Sequence, residues 1–385
     1  MKSFDDELLD LDAVSLKREL RWVNSTQGSK VLLDGKQVIN FASNDYLGLS
    51  AHPEIIQAMK DGVDRWGAGS VASRLITGSM TPHFELESYL ANIKGCEAAL
   101  SFSSGYSASV ATVGGLVQKG DTVILDKLAH ASLIDGAKLS GATIRVFPHN
   151  GLSKLERLLE SSSRDSGRVL VIVESIYSMD GDLALLEDIT GLTRKYGAML
   201  LVDEAHGLGV YGSRGLGLIE HLGKSVSDSV DIHMGTLGKS AGVAGGYITG
   251  SRSMIDLVIN KGRAFIYSTS PPPAQVVAAK KALEIITSSA GKSLRKNLWS
   301  NINQLVSSLA EVCPIDAQSA IIPWPVGEAE AALKLSERLL EAGLLVPALR
   351  YPTVARDEAR LRITITAKHS TEDLRMLADQ LMTVA

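Results

Sequence analysis

From Glu97 to about Gly250 the sequence alternates short apolar runs with amphipathic ones. Two of the apolar runs, Val169-Leu-Val-Ile-Val173 and Met199-Leu-Leu-Val202, contain no polar residue. A run of that kind suits a strand buried on both faces, the mark of a mainly parallel sheet covered by helices. Strands are expected at Ala98–Phe102, Thr122–Leu125, Ala142–Phe147, Val169–Glu174, Met199–Asp203, Ile232–Leu237 and Tyr247–Thr249. Helices fit at Tyr106–Val117, Leu152–Glu160 and Leu186–Tyr196. In such a sheet ligands collect beyond the carboxyl ends of the strands. Gly105, Ser178, Asp203 and Lys239 fall at or just after such ends, which makes them the first candidates for a site.

The flanks extend this to an α/β protein with three parts. Residues 5–23 have the periodicity of an amphipathic helix, and Val31–Phe41 reads as a hairpin around Asp34-Gly35. Together they form an N-terminal arm over residues 1–50. Pro53–Trp66 is expected to be a helix, Gly67–Thr81 a loop, and Thr81 the cap of a further helix opening at Pro82. A large domain over residues 51–285 would hold the seven-stranded, mainly parallel sheet between helices. After the Pro271–Pro273 turn, helices at Ala274–Ser289 and Ser293–Glu311 lead into strands at Ala320–Trp324, Leu344–Val346 and Leu361–Thr366. With a helix through Glu341 and another from Thr371, residues 286–385 read as a smaller α/β domain.

Composition narrows the function. A net charge of −4 argues against a protein that coats nucleic acid. No apolar run approaches the ~20 residues that span a bilayer. The opening Met-Lys-Ser-Phe-Asp-Asp-Glu lacks a secretory pattern, and Cys96 and Cys313 make neither a CxxC nor a zinc spacing. A cytoplasmic protein without a structural metal is expected.

Three short motifs compete for the chemistry. Gly207-Leu-Gly-Val-Tyr-Gly212 fits G-x-G-x-x-G, but it follows Asp203-Glu-Ala-His206 instead of opening a strand–turn–helix. Gly235-Thr-Leu-Gly-Lys-Ser240 resembles the end of a phosphate loop, and Val202-Asp-Glu-Ala-His206 a magnesium-binding box, so an NTPase is the alternative from another class. It is weakened because His233 stands where the loop needs its first glycine, and because the acidic box comes before the lysine. The third reading is a pyridoxal phosphate ring bonded to Lys239, with small residues beyond the lysine leaving room for it. Such a ring needs a carboxylate at its nitrogen, which Asp203 supplies. His206 could reach the phenolic oxygen, and His130 could stack on the ring. Ser104-Gly105-Tyr106 opens a helix whose N–H groups suit a phosphate, with Thr236 and Ser178 adding hydroxyls.

Ser175-Ile-Tyr-Ser-Met-Asp-Gly-Asp182, Asp203-Glu-Ala-His-Gly207 and Thr236-Leu-Gly-Lys239 occur in this order in the α-oxoamine synthases, and the chain resembles that family. Asn44-Asp-Tyr-Leu-Gly-Leu49, Asp126-Lys-Leu-Ala-His-Ala-Ser132, Tyr267-Ser-Thr-Ser-Pro271 and Ala359-Arg-Leu-Arg-Ile363 extend the match over nearly the whole length. The resemblance implies pyridoxal-phosphate enzymes of the aspartate-aminotransferase fold, homodimeric, with each active site at the dimer interface.

The residue roles follow from the same resemblance. Lys239 holds the cofactor and, once displaced, removes the Cα proton of the amino acid. Asp203 keeps the ring nitrogen protonated, and Ser178 and His206 hold the phenolic oxygen. His130 stacks on the ring and can bond the incoming thioester carbonyl. Gly105, Tyr106 and Thr236 contact the phosphate, and Thr269 that of the neighbouring subunit. Arg362 binds the amino-acid carboxylate, and Asn44 belongs with the substrate-binding residues. Arg21 and Arg350 are candidates for the acyl chain or its far carboxylate. The N-terminal arm, the Arg350-Tyr-Pro-Thr-Val354 segment and the short length suit the member that joins L-alanine to a pimeloyl thioester, carried on CoA or on acyl-carrier protein, toward biotin. A sister synthase using glycine or serine with another acyl-CoA is the alternative.

Overall fold

All seven strands expected between Glu97 and Gly250 form, and they lie side by side in one sheet. The computed structural model describes residues 2–383. In chain order the strands are β1 Lys30–Leu33, β2 Lys36–Asn40, β3 Ala98–Phe102, β4 Thr122–Asp126, β5 Thr143–Phe147, β6 Val169–Glu174, β7 Met199–Asp203, β8 Ile232–Thr236, β9 Gly246–Gly250, β10 Ile321–Gly327, β11 Leu344–Leu345, β12 Ala348–Leu349 and β13 Ala359–Thr364. The helices are α1 Phe4–Ala13, α2 Pro53–Trp66, α3 Thr81–Lys94, α4 Gly105–Leu116, α5 Ala131–Ser140, α6 Leu152–Ser162, α7 Leu186–Tyr196, α8 Leu218–Leu222, α9 Lys224–Ser227, α10 Arg252–Lys261, α11 Arg263–Ile266, α12 Pro273–Thr287, α13 Ser289–Leu309, α14 Ala329–Glu341 and α15 Thr371–Met382. The chain divides into two units. One comprises residues up to Gly48, Ser178–Gly181 and everything from Lys296; the other comprises Leu49–Tyr177 and Asp182–Arg295.

The larger unit holds the seven-stranded sheet, in the order β3-β9-β8-β7-β6-β4-β5. Strands β4 to β8 pair in parallel, and β9 runs antiparallel to both β3 and β8. Alternate residues of the central strands serve opposite faces. Leu170, Ile172, Leu201, Ile232 and Met234 join one apolar cluster with α4, α5 and α10. Val171, Val173, Leu200 and Val202 join a second with α6 and α7. Each such side chain taken fully out of water contributes about 1.5–3 kcal/mol.

Helices α5, α8, α9, α10 and α11 were not expected from the sequence. α5 joins β4 to β5, and its sequence, with Ser132, Gly136 and Ser140, has no clear apolar stripe. Gly136 shows why: a Cβ there would stand 3.1 Å from Ser109 O and 3.1 Å from Val113 Cβ, so α5 packs backbone-close on α4. The helix is specified by that close approach, which needs small residues instead of large apolar ones.

The smaller unit carries two three-stranded sheets, β1-β2-β11 and β10-β13-β12. Asp34 and Gly35 both take positive φ (48° and 82°), the turn that a two-residue hairpin demands. The helix expected over residues 5–23 stops at Ala13. Ser15 turns left-handed (φ 55°), and Leu16 N donates back to Leu11 O at 2.7 Å. Residues 16–22 form no helix, and the end of the segment meets β1: Val23 bridges Leu33, and Asn24 N donates to Leu32 O. Strand pairing there outweighs a periodicity that leaves no α1 residue buried. Thr81 is the first residue of α3, not its cap; Met80 holds the cap position, with its N–H on His83 Nδ1. No helix among the described residues is long and apolar enough to cross a membrane.

Candidate active site

The carboxyl ends of β6, β7 and β8 gather the ionisable groups. Asp203 ends β7 and is 4% exposed. Its Oδ1 accepts the N–H of Ala205 at 2.8 Å. Burial pushes this carboxyl above its usual range, while Lys239, the Ala205 N–H and His130 pull it back down. Lys239 lies just beyond β8, with Nζ 2.6 Å from His206 Nε2. Ser240, the residue that a phosphate loop would reserve for its metal, donates to Leu208 O at 2.5 Å. This ties the lysine segment to the segment that carries His206.

His130 caps α5. Its Nδ1 accepts the N–H of Ser132 at 3.2 Å, so the ring proton is assigned to Nε2. The hydroxyl of Ser132 lies 2.7 Å from the same nitrogen and 2.8 Å from Ser109 Oγ, which donates to Gly105 O. A chain of hydroxyls thus runs from His130 to the start of α4. Partial burial and the charge of Lys239 hold the imidazole below its ordinary pKa, against the pull of Asp203 and Asp135.

At the start of α4, Ser104 caps the helix and accepts from Ser107 N at 3.1 Å. The first N–H groups of a helix have no partner within it and favour an anion. Thr236 lies against this terminus, since a Cβ on Gly105 would come within 3.3 Å of its side chain. The Thr236 hydroxyl donates to Gly245 O and accepts from Gly238 N. Tyr106 turns its phenol outward onto Asp135, leaving only its main chain toward the helix start. Thr269 forms an antiparallel bridge with Ser73.

A further residue was not singled out from sequence. Glu174 ends β6 in register with Asp203 on β7, so both carboxyls stand on the same face of the sheet. It is 2% exposed, and burial and the Asp203 charge push it up to about 8. As the last residue of an apolar strand it gave no signal of its own.

In the smaller unit, Arg362 is 6% exposed on β13. Its Nε donates to Ser178 O at 2.6 Å, and its Nη1 to Asn44 Oδ1 and Thr364 Oγ1. Those bonds set the plane of the guanidinium and bring together three expected site residues. Arg350 is spent differently: it donates to Ser15 O and Lys17 O, holding the segment after α1. Arg21 is exposed in that same extended segment.

The competing motifs lose their geometry. No helix follows Lys239, and Gly207–Gly212 lies in turns. Both oxygens of Glu204 accept main-chain N–H groups at the start of α8, from Leu218 and Ile219, so this carboxylate serves as a cap and is not open to a metal. A flat ring with a protonatable nitrogen and a phosphate suits the remaining donor set. It would give Asp203 the cation that burial calls for, Lys239 a carbon to bond, and α4 an anion.

Residues 36–381 match the family model described as aminotransferase class I and II. Over 376 residues the chain is 46% identical to an 8-amino-7-oxononanoate synthase of Citrifermentans bemidjiense, covering 97% of this chain and 96% of that one. The chain belongs to the class I and II aminotransferase family, on its 8-amino-7-oxononanoate synthase branch. Among solved structures, SPT with a PLP internal aldimine superposes with a TM-score of 0.90 at 30% identity, over 94% of this chain and 92% of that one. An 8-amino-7-oxononanoate synthase from Francisella tularensis gives 0.75 at 27% identity, over 90% and 98%.

Proposed function

We propose that the protein condenses L-alanine with a pimeloyl thioester, giving 8-amino-7-oxononanoate, CO2 and a free thiol in biotin biosynthesis, with pyridoxal 5'-phosphate as its cofactor. The observation that carries this reading is the cluster of Asp203, His206, Lys239 and His130 at neighbouring strand ends. When bound, pyridoxal phosphate supplies an electron sink for the carbon next to the amino group.

The protein's own groups do the rest. Lys239 would hold the cofactor through Nζ and, once released, take the Cα proton of alanine as a general base. Asp203 would keep the ring nitrogen protonated. His206 and Ser178 would bond the phenolic oxygen, and the start of α4 with Thr236 the phosphate. His130 would face the ring and, with its Nε2 proton, donate to the thioester carbonyl. Arg362, its plane already fixed, would orient alanine by its carboxylate, with Asn44 beside the guanidinium. Arg21 remains the candidate for the acyl chain, with Arg350 holding the segment that carries it.

A homodimer fits this reading. Val71, Ile76 and Tyr267 are between 71% and 91% exposed in the larger unit, within three residues of the bridge that joins Ser73 to Thr269. Exposed apolar groups in that number suit a second copy of the chain, to whose cofactor phosphate Thr269 would contribute.

The test is direct. Purified protein given cofactor, L-alanine and pimeloyl-CoA is expected to release 8-amino-7-oxononanoate, identified by mass. Borohydride reduction of the loaded protein should leave the cofactor covalently on the peptide containing Lys239. A Lys239→Ala variant that turns over at the normal rate would overturn the assignment, as would a label on another lysine.

A further inference from the structure

A second group of titratable side chains lies apart from Lys239. His149 follows β5 and is flanked by two carboxylates: Nδ1 is 3.2 Å from Asp126 Oδ1, and Nε2 is 2.5 Å from Asp182 Oδ2. With an acceptor at each ring nitrogen, both nitrogens must donate, so the ring is an imidazolium. The edge of Tyr177 packs against it, ring centres 4.3 Å apart at 80°.

Each carboxylate belongs to a segment that leads to a candidate site residue. Asp126 ends β4, and its side chain is wholly buried. Its Oδ1 also accepts from Leu128 N and its Oδ2 from Asn150 N, at 2.8 and 3.1 Å. Leu128 lies in the turn that ends at His130. Asp182 closes the excursion of the chain through Ser178–Gly181, and Tyr177 N donates to its carbonyl at 3.0 Å. Asn150, beside His149 and left-handed at φ 52°, reinforces this by donating to Leu183 O at 3.0 Å.

We propose that His149 is a positioning residue: pinned between Asp126 and Asp182, it fixes at once the turn that bears His130 and the ends of the loop that bears Ser178. The inference rests on the assignment of those two residues to the cofactor site. The titratable groups facing the ring are Asp126 from β4 and Asp182 and Tyr177 from the β6 loop, with Glu174 behind them acting on Tyr177. A neutral imidazole would leave one carboxylate without its imidazole donor, and the link between the two segments would pass to Asn150 alone.

The experiment compares wild type, His149→Gln and Asp182→Asn as full-length protein. Amide hydrogen exchange without added cofactor is expected to quicken about tenfold in the 126–130 and 175–183 segments of His149→Gln, while β7 and β8 hold. Asp182→Asn should loosen only the 175–183 segment. Cofactor affinity should fall about tenfold in His149→Gln, and the visible circular dichroism of bound cofactor should shrink in both variants. Unchanged exchange in both segments overturns the proposal, as does exchange that rises uniformly with a drop in melting temperature. Loosened segments with unaltered affinity and dichroism also overturn it. Exchange is read without cofactor, so its outcome is separate from any failure of the catalytic assignment.

Discussion

At the scale of single residues, the candidate site draws on two kinds of neighbour, those close in the chain and those brought alongside by strand pairing. Asp203, His206 and Lys239 announce themselves because a strand end followed by small residues is a local pattern. Glu174 does not, because its meaning comes from standing opposite Asp203. His149 is similar, with partners at Asp126 and Asp182 that no spacing rule connects. Its consequence can be measured. Burial alone would lower the imidazole, but hydrogen bonds to Asp126 and Asp182 outweigh it and raise the pKa from 6.5 to about 10. A group raised in the folded state stabilises fully below its unfolded value and loses that contribution as pH climbs through the folded one. The stability gap between wild type and His149→Gln should therefore be largest below about pH 6.5 and shrink toward about pH 10. Urea titrations at about pH 6, 8 and 10 would check this, and a gap that widens with pH would refute it.

Among elements, buried strands were read well because an unbroken apolar run of four or five residues leaves few alternatives. Helices were read unevenly: α6 and α7 carry a stripe and were expected, α4 was expected without one, and α10 was missed although it has one. α5 lacks one because its contact with α4 is made by backbone and small side chains, so Gly136 carries the information that a leucine would carry elsewhere. Gly136→Ala is expected to cost about 1–3 kcal/mol through overpacking, less about 1 kcal/mol for alanine's better helix propensity. Because α5 opens at His130, cofactor affinity should fall as well. Chemical denaturation and cofactor titration measure the two effects, and a stabilised variant would show that the α4–α5 contact has room to give. The opposite failure, at residues 14–23, has the opposite cause: a helical stripe was present, yet the chain turns at Ser15 and its far end at Val23 pairs with β1.

For the whole molecule, the fold class was readable and the strand order was not. Alternating strands and helices imply a parallel sheet, but nothing in one dimension says that β9 should insert antiparallel between β3 and β8. The exposed apolar residues around Thr269 belong to this scale as well. Ile76, 76% exposed, is expected to lie in the subunit contact. Ile76→Lys should shift the mass in sedimentation from twice the 41.0 kDa of one chain toward a single copy, with activity falling in step. A variant that remains dimeric and active would place the contact elsewhere.

The strand order bears on how the chain is made. All five residues of β3 are buried, and its neighbour in the sheet is β9, with Ala98 opposite Gly250. A ribosome delivers β3 long before β9. Through that interval β4 to β8 can assemble among themselves, while Ala98–Phe102 has no strand beside it, although α3 packs against it and Glu87 takes the N–H of Ser101. A nascent chain halted short of Gly246 therefore carries an orphan strand, the kind of segment that chaperones bind and aggregates recruit. Completion of the sheet edge is a late event in the life of each molecule, timed by the synthesis of a strand far along the message.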